Sequence, residues 1–253
     1  MAAELCIRYE DDDLIVADKP AGMHTAPLVR GDTGTLLELV LDAFPEIGAL
    51  PGIKPVEPGL VHRLDRETSG LVVVARTAGA FESLRHAFAS EAVRKDYAAA
   101  CAPTGAAGAE DEGLGPRPLR MESRFAPYGP GRRMVRAVLS GERSARLLAA
   151  ASPALYATEA RVMNRRGGRA LVRAWILRGF RHQVRVHLAF LGFPIFGDPL
   201  YGVAAPQGSA PRMYLHAGRI ELPHPVTGRR LVVESPVPDE FMSLLETGKG
   251  ASP

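Results

Sequence analysis

The apolar positions near the start of the chain predict two strands, one helix and a long loop. Residues 5–8 and 14–18 are short, mostly apolar runs with polar flanks, as is typical of strands. Thr35 is followed three residues later by Glu38, which predicts a capping box at the start of an apolar helix. Residues 45–59 contain four prolines and three glycines and therefore predict a loop.

A strand, a helix and a further strand are predicted next. The apolar run at residues 71–76 leads to Thr77, which can cap a helix. Four apolar residues then recur at helical spacing: Phe81, Leu84, Phe88 and Ala92. Tyr97 falls on the strand that follows this helix.

Two hairpins are predicted in the second half of the chain. Residues 120–146 are rich in arginine around Gly129-Pro130-Gly131, which indicates a basic hairpin. Residues 155–162 and 169–177 alternate in strand fashion around the turn at residues 166–168.

The period becomes helical at residues 181–191. The side expected to be buried carries Val184, Leu188 and Leu191. Arg181 and Arg185 are then one turn apart at the start of this helix. By contrast, residues 102–118 are rich in Gly, Pro, Ala and Glu without periodicity, and they predict a mobile insertion with no assigned function.

Composition is that of an ordinary globular protein. The 253 residues are 46% apolar and 23% charged, enough for a large core in one domain or in two lobes that share a core. No apolar stretch approaches the ~20 residues that a membrane-spanning helix needs. The first residues lack the basic start and apolar run of a signal peptide, so a cytoplasmic protein is predicted. The chain has two cysteines, Cys6 and Cys101, without Cys-x-x-Cys spacing, which argues against a disulfide framework and against a zinc site.

The distribution of charge is more informative than the net charge of +3. Residues 1–60 carry eleven acidic and four basic side chains, whereas residues 161–185 carry eight arginines and no acid. Such segregation would create a positive field on one part of the surface, as binding to a phosphate backbone requires. A merely solvated arginine-rich face is the alternative.

No metal or nucleotide cofactor is predicted. His182 and His187 are five residues apart, whereas two ligands on one helical face are three or four apart. No glycine-rich run ends in Gly-Lys-Ser or Gly-Lys-Thr, which excludes a phosphate-binding loop of that type.

Candidate chemistry is concentrated in residues 59–70, which read Gly-Leu-Val-His-Arg-Leu-Asp-Arg-Glu-Thr-Ser-Gly. This segment places Asp65 among basic and hydroxyl side chains, on a loop that leads into an apolar strand. A loop held against a buried strand can present a carboxylate rigidly to one ligand atom. A surface ion pair followed by an ordinary turn is the alternative.

A second segment decides between these interpretations. Residues 181–188 read Arg-His-Gln-Val-Arg-Val-His-Leu, and residues 197–202 read Gly-Asp-Pro-Leu-Tyr-Gly. Together with His-Arg-Leu-Asp-Arg-Glu-Thr-Ser-Gly, they resemble the RluA-type pseudouridine synthases, which isomerise uridine in structured RNA. Arg94-Lys95-Asp96-Tyr97 resembles the Lys-x-Tyr motif of that family. Residues 13–23 resemble the strand and turn that open the catalytic domain of that family, and residues 215–217 with 224–228 resemble its closing hairpin. The resemblance therefore extends over about residues 5–242.

The resemblance implies an α+β catalytic fold, with a mixed, largely antiparallel sheet in two lobes flanked by helices and loops. It implies one catalytic domain over residues 1–253 without a separate N-terminal RNA-binding domain. Neither cofactor nor metal is implied. RNA, either ribosomal or transfer, is the implied partner, and the protein is expected to be a monomer without an obligatory protein partner or membrane contact.

Roles for individual residues follow from the resemblance. Asp65 is the nucleophile or base, and Arg185 pairs with it and keeps it charged. An ion pair at the edge of the core, without a catalytic consequence, is the alternative for Arg185. Tyr97 would stack on the uracil ring, although a plain core tyrosine is the alternative. Arg63 would fill the gap left by a flipped-out base, or would only contact phosphate. The residues expected to bind RNA are His62, Arg63, Arg66, Thr68, Arg181, His182 and Gln183. The basic hairpin predicted at residues 120–146 could also contact RNA, and a merely solvated hairpin is the alternative.

One position departs from the family pattern. Phe180 stands where the motif usually has a polar or basic residue, so substrate choice does not follow from the resemblance. A catalytically silent RNA-binding or RNA-folding factor on the same scaffold is the first alternative function. A hydrolase with an aspartate nucleophile is the second, and the absence of an evident acid partner argues against it.

Overall fold

The structure is a computed structural model, which describes residues 4–108 and 117–246. The chain divides into two compact units. The first unit comprises the described residues up to Lys95 and residues 216–236, and the second comprises residues 96–108, 117–215 and 237–246. Of the predicted mobile insertion, residues 109–116 lie outside the described residues.

The described residues form ten strands and five α-helices. In chain order these are β1 (Ile7–Glu10), β2 (Leu14–Lys19), α1 (Leu36–Ala43), β3 (Ser69–Ala75), α2 (Ala78–Ala89), β4 (Arg94–Cys101), β5 (Leu119–Tyr128), β6 (Met134–Val138), α3 (Ala145–Ala150), β7 (Tyr156–Arg166), β8 (Arg169–Ile176), α4 (Gln183–Phe190), β9 (Leu215–Pro223), β10 (Arg230–Glu234) and α5 (Asp239–Glu246). None of the helices in the described ranges is long and apolar enough to cross a membrane.

The strands of the first unit are ordered β1-β2-β3-β9-β10. All of these neighbours are antiparallel except β3 and β9, which pair in parallel through Ser69 with His216 and Gly70 with Ala217. Gly70 has a φ of +117°, and a Cβ there would overlap the backbone of Ala217. The glycine that ends the Asp65 segment is therefore required by this close approach of two strands.

Both faces of the two central strands are buried in the first unit. One face of β2 and β3 packs on α2 through Phe81 and Leu84, and the other packs on α1 through Leu36 and Val40. Every residue of β3 is buried. The loop that carries Asp65 thus leads into the most buried strand of its unit.

The strands of the second unit are ordered β4-β8-β7-β5-β6. The pairs β8-β7, β7-β5 and β5-β6 are antiparallel. Phe125 on β5 stacks on Phe180 with ring centres 4.9 Å apart and on His187 of α4 with ring centres 5.0 Å apart. This aromatic stack anchors α4 to the sheet of its unit.

Most predicted elements are confirmed, and the expected α+β fold with a mixed, mostly antiparallel sheet is correct. Both predicted hairpins of the second half form, as β5-β6 and β7-β8. Ala92 lies beyond the end of α2. The predicted start of α4 was wrong by two residues, because His182 adopts a φ of +58° and leaves Arg181 outside the helix.

We expect Thr35→Ala to lower the free energy of unfolding by about 1 kcal/mol, because the capping box at α1 is then lost. The Thr35 hydroxyl accepts from the Glu38 backbone N–H at 3.1 Å, and the Glu38 carboxylate accepts in return from the Thr35 N–H at 3.4 Å. Urea unfolding measures the change. Thr33→Ala, at an exposed position two residues earlier, is the control and should leave stability unchanged.

Candidate active site

Asp65 lies between two residues whose backbone is held by hydrogen bonds. The Thr25 hydroxyl donates to the Leu64 carbonyl at 2.9 Å and accepts from the Leu64 N–H at 3.1 Å. The Arg66 carbonyl accepts from the Lys19 ammonium at 3.1 Å and from the Gly22 N–H at 2.8 Å. The backbone on both sides of Asp65 is therefore fixed to residues 19–25.

Lys19 is fully buried at the end of β2. Its ammonium group donates to the carbonyls of Pro20, Met23 and Arg66 at 2.9, 2.8 and 3.1 Å. A buried ammonium is tolerated when its donors are satisfied, and here backbone oxygens satisfy them. Lys19 thereby joins the turn at residues 20–23 to the turn that follows Asp65.

The Asp65 side chain is half-buried at the start of a tight turn. The backbone carbonyl of Asp65 accepts from the Thr68 N–H at 3.1 Å, and this bond closes the turn. Arg66 is exposed, and its Nε donates to the Gly22 carbonyl at 2.9 Å. Thr68 is buried, which weighs against a direct contact with RNA, so that contact stays a prediction.

Two side chains before Asp65 have defined partners. Nε2 of His62 accepts from the Val73 N–H at 2.9 Å, and the ring stacks on Phe88 with centres 4.8 Å apart. Burial, assisted by the charge of Lys95, lowers the pKa of His62 to about 3, so the ring is neutral at pH 7. Arg63 donates to the buried Glu57 at 2.9 Å, and its side chain stays 44% exposed.

A chain of hydrogen bonds fixes β3 to β9 just beyond the Asp65 turn. Ser69 bonds to Nδ1 of His216 at 2.9 Å, Nε2 of His216 bonds to Ser235 at 3.1 Å, and Ser235 donates to Asp18 at 2.5 Å. Asp18 also accepts two bonds from Arg8, at 2.9 and 2.8 Å. The hydroxyl of Ser69 therefore serves the framework of the loop.

In the second unit, Arg185 is buried in α4 and bound on one edge by Asp198. Nε donates to Oδ2 at 2.8 Å and Nη2 donates to Oδ1 at 2.7 Å, which is a bidentate pair. Oδ1 also accepts from the N–H groups of Leu200 and Tyr201 at 2.9 and 3.2 Å. Burial alone would raise the pKa of Asp198, but the Arg185 contact outweighs it, with help from these two N–H groups, and lowers that pKa below its usual value.

The other candidate residues of the second unit lie around the start of α4. His182 bonds through Nδ1 to the Tyr201 hydroxyl at 2.9 Å. Arg181 is exposed and donates to the carbonyls of Arg132 and Met134 at 2.8 and 3.2 Å. Tyr97 lies on β4 and is 8% exposed.

Gln183 is a buried framework residue at the first position of α4. Its side-chain oxygen accepts from the Phe180 N–H at 2.9 Å, and its nitrogen donates to Ala157 and Thr158 at 2.9 and 3.2 Å. A contact of Gln183 with RNA stays a prediction, and this burial weighs against it.

One group of potential metal ligands lies in the described part of the chain, at Asp11, Asp13 and His224. Nδ1 of His224 accepts from the N–H groups of Val226 and Thr227 at 3.3 and 3.2 Å. Nε2 therefore carries the proton that it shares with Asp11 at 2.8 Å. Neither ring nitrogen offers a lone pair to a metal, and these residues are better explained as a hydrogen-bonded turn.

The structure assembles the candidate residues in two sets. One set lies on a single loop of the first unit and consists of His62, Arg63, Asp65, Arg66 and Thr68. The other lies at the N-terminal end of α4 in the second unit and consists of Arg181, His182, Gln183 and Arg185. The pairing of Asp65 with Arg185 stays a prediction. Sequence reasoning missed the supporting residues Lys19, Thr25 and Asp198, although Asp198 stood inside a quoted motif.

Comparison with known proteins identifies the family. A family model for RNA pseudouridylate synthases matches residues 13–190. The ribosomal large subunit pseudouridine synthase D of Nitrosomonas europaea is 34% identical in an alignment of 252 residues that covers 97% of this chain and 65% of that protein. The Pseudomonas aeruginosa protein of the same name is 32% identical over 96% of this chain and 71% of its own length. An uncharacterized RNA pseudouridine synthase of Bacillus subtilis is 30% identical, over 96% of this chain and 72% of its own.

Solved structures agree in fold. Human RNA Pseudouridylate Synthase Domain Containing 1 superposes with a TM-score of 0.68 at 22% identity, over 93% of this chain and 84% of that one. Human RNA Pseudouridylate Synthase Domain Containing 4 superposes with a TM-score of 0.67 at 22% identity, over 98% of this chain and 94% of that one. The chain thus has the pseudouridylate synthase fold, and it belongs to the RNA pseudouridylate synthase family. The resemblance to RluA-type enzymes is confirmed.

We expect Asp198→Asn to lower the free energy of unfolding by about 3 kcal/mol at pH 7, because the buried Arg185 then loses the carboxylate of its bidentate pair. Urea unfolding as a function of pH tests this. The contribution of Asp198 is present above the usual carboxyl pKa of about 4 and is lost as pH falls through its lower folded-state pKa.

The stability difference between wild type and Asp198→Asn should therefore shrink in acid. Asp12→Asn, at an exposed carboxylate, is the matched control and should change stability little at any pH. A difference that persists undiminished below pH 3 would show that the negative charge of Asp198 is not what stabilises Arg185.

Proposed function

We propose that this protein is an RNA pseudouridine synthase that isomerises specific uridines in structured RNA. The chain spans about 65% of the length of its Nitrosomonas europaea relative, so the activity of the whole relative is a proposal for this chain. The observation that carries it is the half-buried Asp65, whose two chain neighbours are fixed by Thr25, Lys19 and Gly22. A carboxylate fixed in this way can meet one substrate atom repeatedly.

The reaction needs an ionised carboxylate and no redox agent. The bond between uracil N1 and the sugar breaks, the base turns, and a carbon–carbon bond forms from C5, which then loses its proton while N1 gains one. Asp65 would attack the ring, attack the sugar carbon, or remove a sugar proton. Each route requires the same group at the same place.

Arg185 is the proposed partner of that carboxylate. Its bidentate pair with Asp198 occupies one edge of the guanidinium and fixes the plane of the group. A guanidinium whose orientation is already fixed loses little entropy when it binds a second anion. Tyr97 would stack under the uracil ring and assist proton removal from C5.

A base within an RNA stem must leave its stack before Asp65 can reach it, which costs a few kcal/mol. Arg63 is proposed to fill the vacated position. Its side chain is 44% exposed, and its bond to the buried Glu57 steadies the guanidinium two residues from Asp65. The neutral His62 beside it contributes rigidity through Val73.

Large-subunit ribosomal RNA is the proposed substrate, because several relatives are named for that activity. The enzyme would then act in the cytoplasm, as a monomer on one catalytic domain. Mapping pseudouridines in total RNA from cells with and without this gene identifies the target. Loss of a position in transfer RNA alone would redirect the proposal to that substrate.

We expect Asp65→Asn to abolish isomerisation and to leave RNA affinity within a few-fold of wild type. The amide cannot act as nucleophile or base, whereas the shape and the basic surface are retained. Single-turnover release of tritium from large-subunit RNA transcripts labelled at uridine C5 measures the rate, and filter binding measures affinity.

Glu67→Gln is the matched control, because it neutralises a half-buried carboxylate two residues away. It should retain most of the wild-type rate. Activity that survives in Asp65→Asn would remove Asp65 from its role. A wild-type protein that binds these transcripts tightly and never releases tritium would favour the silent RNA-binding alternative.

A further inference from the structure

A cavity of about 720 Å³ opens within the second unit. Strand β6, residues 139–143 and the surface side of α4 form its walls. Its size falls within the range of about 300–1,000 Å³ that is usual for small-molecule sites. Nothing in the role proposed for Asp65 uses this space.

Most of the cavity lining is aromatic or apolar, and its charged residues are Arg136, Glu142 and Arg143. Tyr128, Phe190 and Tyr201 contribute rings to it. Phe190 and Tyr128 are 57% and 51% exposed, although large aromatic side chains are normally buried. Aromatic rings that line an open cavity are the usual platform for an unstacked nucleobase, because every base has a face that can stack.

The charge around the cavity favours a polyanion. Residues 117–146 carry eight arginines and two acidic residues. Arg136 and Arg143 line the cavity and are exposed, and neither forms an ion pair with any described residue. Arg120, on the same segment, is paired with two glutamates. The cavity thus combines stacking surfaces with arginines that are available for phosphate.

Tyr201 connects the cavity to Arg185. Its hydroxyl accepts from the Val135 N–H at 2.7 Å and bonds to His182 at 2.9 Å, so the ring is a fixed wall. The guanidinium carbon of Arg185 lies 5.3 Å from the centre of the same ring. Arg185 therefore contacts the same tyrosine ring that forms part of the cavity wall.

We propose that this cavity binds a second unstacked nucleobase of the RNA substrate, within a few nucleotides of the target uridine. Tyr128 and Phe190 stack on the base, and Arg136 and Arg143 bind the adjoining phosphates. This proposal rests on the function proposed above, since the position of the second base is defined relative to the target uridine.

The test compares two double variants on large-subunit RNA transcripts. Tyr128→Ala with Phe190→Ala removes the stacking rings at exposed positions and should weaken binding by about tenfold, as expected for loss of one stacked base. Leu155→Ala with Met163→Ala removes two apolar side chains of similar exposure that do not line the cavity, and it should bind like wild type. Thermal melting checks that both variants are folded.

Cross-linking gives a second readout that does not depend on catalysis. Transcripts that contain 4-thiouridine, irradiated with wild type or Asp65→Asn, should cross-link to peptides that contain Tyr128 or Phe190. The stacking variant should lose these cross-links, and the control variant should retain them. If isomerisation fails in every protein while these cross-links persist, the proposed function is wrong and the base-binding cavity stands.

Two results would overturn the proposal. Equal RNA affinity of a folded stacking variant and the control would show that the rings do not bind RNA. A concentration-dependent dimer of wild type, lost in the stacking variant, would show that the cavity receives a second copy of this chain. Equilibrium sedimentation distinguishes a dimer from a monomer.

Discussion

The fixed backbone around Asp65 is the constraint on which the candidate site depends. Asp65 itself is half-buried, yet Leu64 and Arg66 on either side are bound by the Thr25 hydroxyl and by the buried Lys19 ammonium. Displacing either neighbour would break hydrogen bonds of groups that are buried, and a buried donor left unsatisfied costs about 1–3 kcal/mol. The loop that carries Asp65 therefore has no regular secondary structure, yet its backbone is fixed to residues 19–25.

Arg185 is positioned by a similar principle with a different partner. Asp198 binds it at both ends of one edge, and the Asp198 carboxylate is bound in turn by backbone N–H groups of residues 200 and 201. The Arg185 side chain is thus held by Asp198, and the backbone on either side of Asp65 is held by Thr25 and Lys19. This agrees with the general requirement that a catalytic group be preorganised by its supporting residues.

Local patterns predicted local structure well. The cap formed by Thr35 and Glu38 was readable because its partners are three residues apart, and the hairpins were readable from period and turn residues. Lys19 and Thr25 were missed because their bonds reach carbonyls 47 and 39 residues away in sequence. The start of α4 was predicted two residues too early, because the spacing of apolar residues gives no indication that His182 adopts a positive φ. Site residues came from motif resemblance, whereas the residues that support them required coordinates.

The ligands of Lys19 have a consequence for how this region can change during evolution. Three of them are backbone carbonyls, from Pro20, Met23 and Arg66, and any amino acid supplies a carbonyl. Substitutions at these three positions therefore leave the carbonyl partners of the Lys19 ammonium in place, provided that the backbone conformation is unchanged. Selection would act instead on position 19, where a shorter or uncharged side chain would remove one donor from each of the three carbonyls, and the Arg66 carbonyl would retain the bond from the Gly22 N–H.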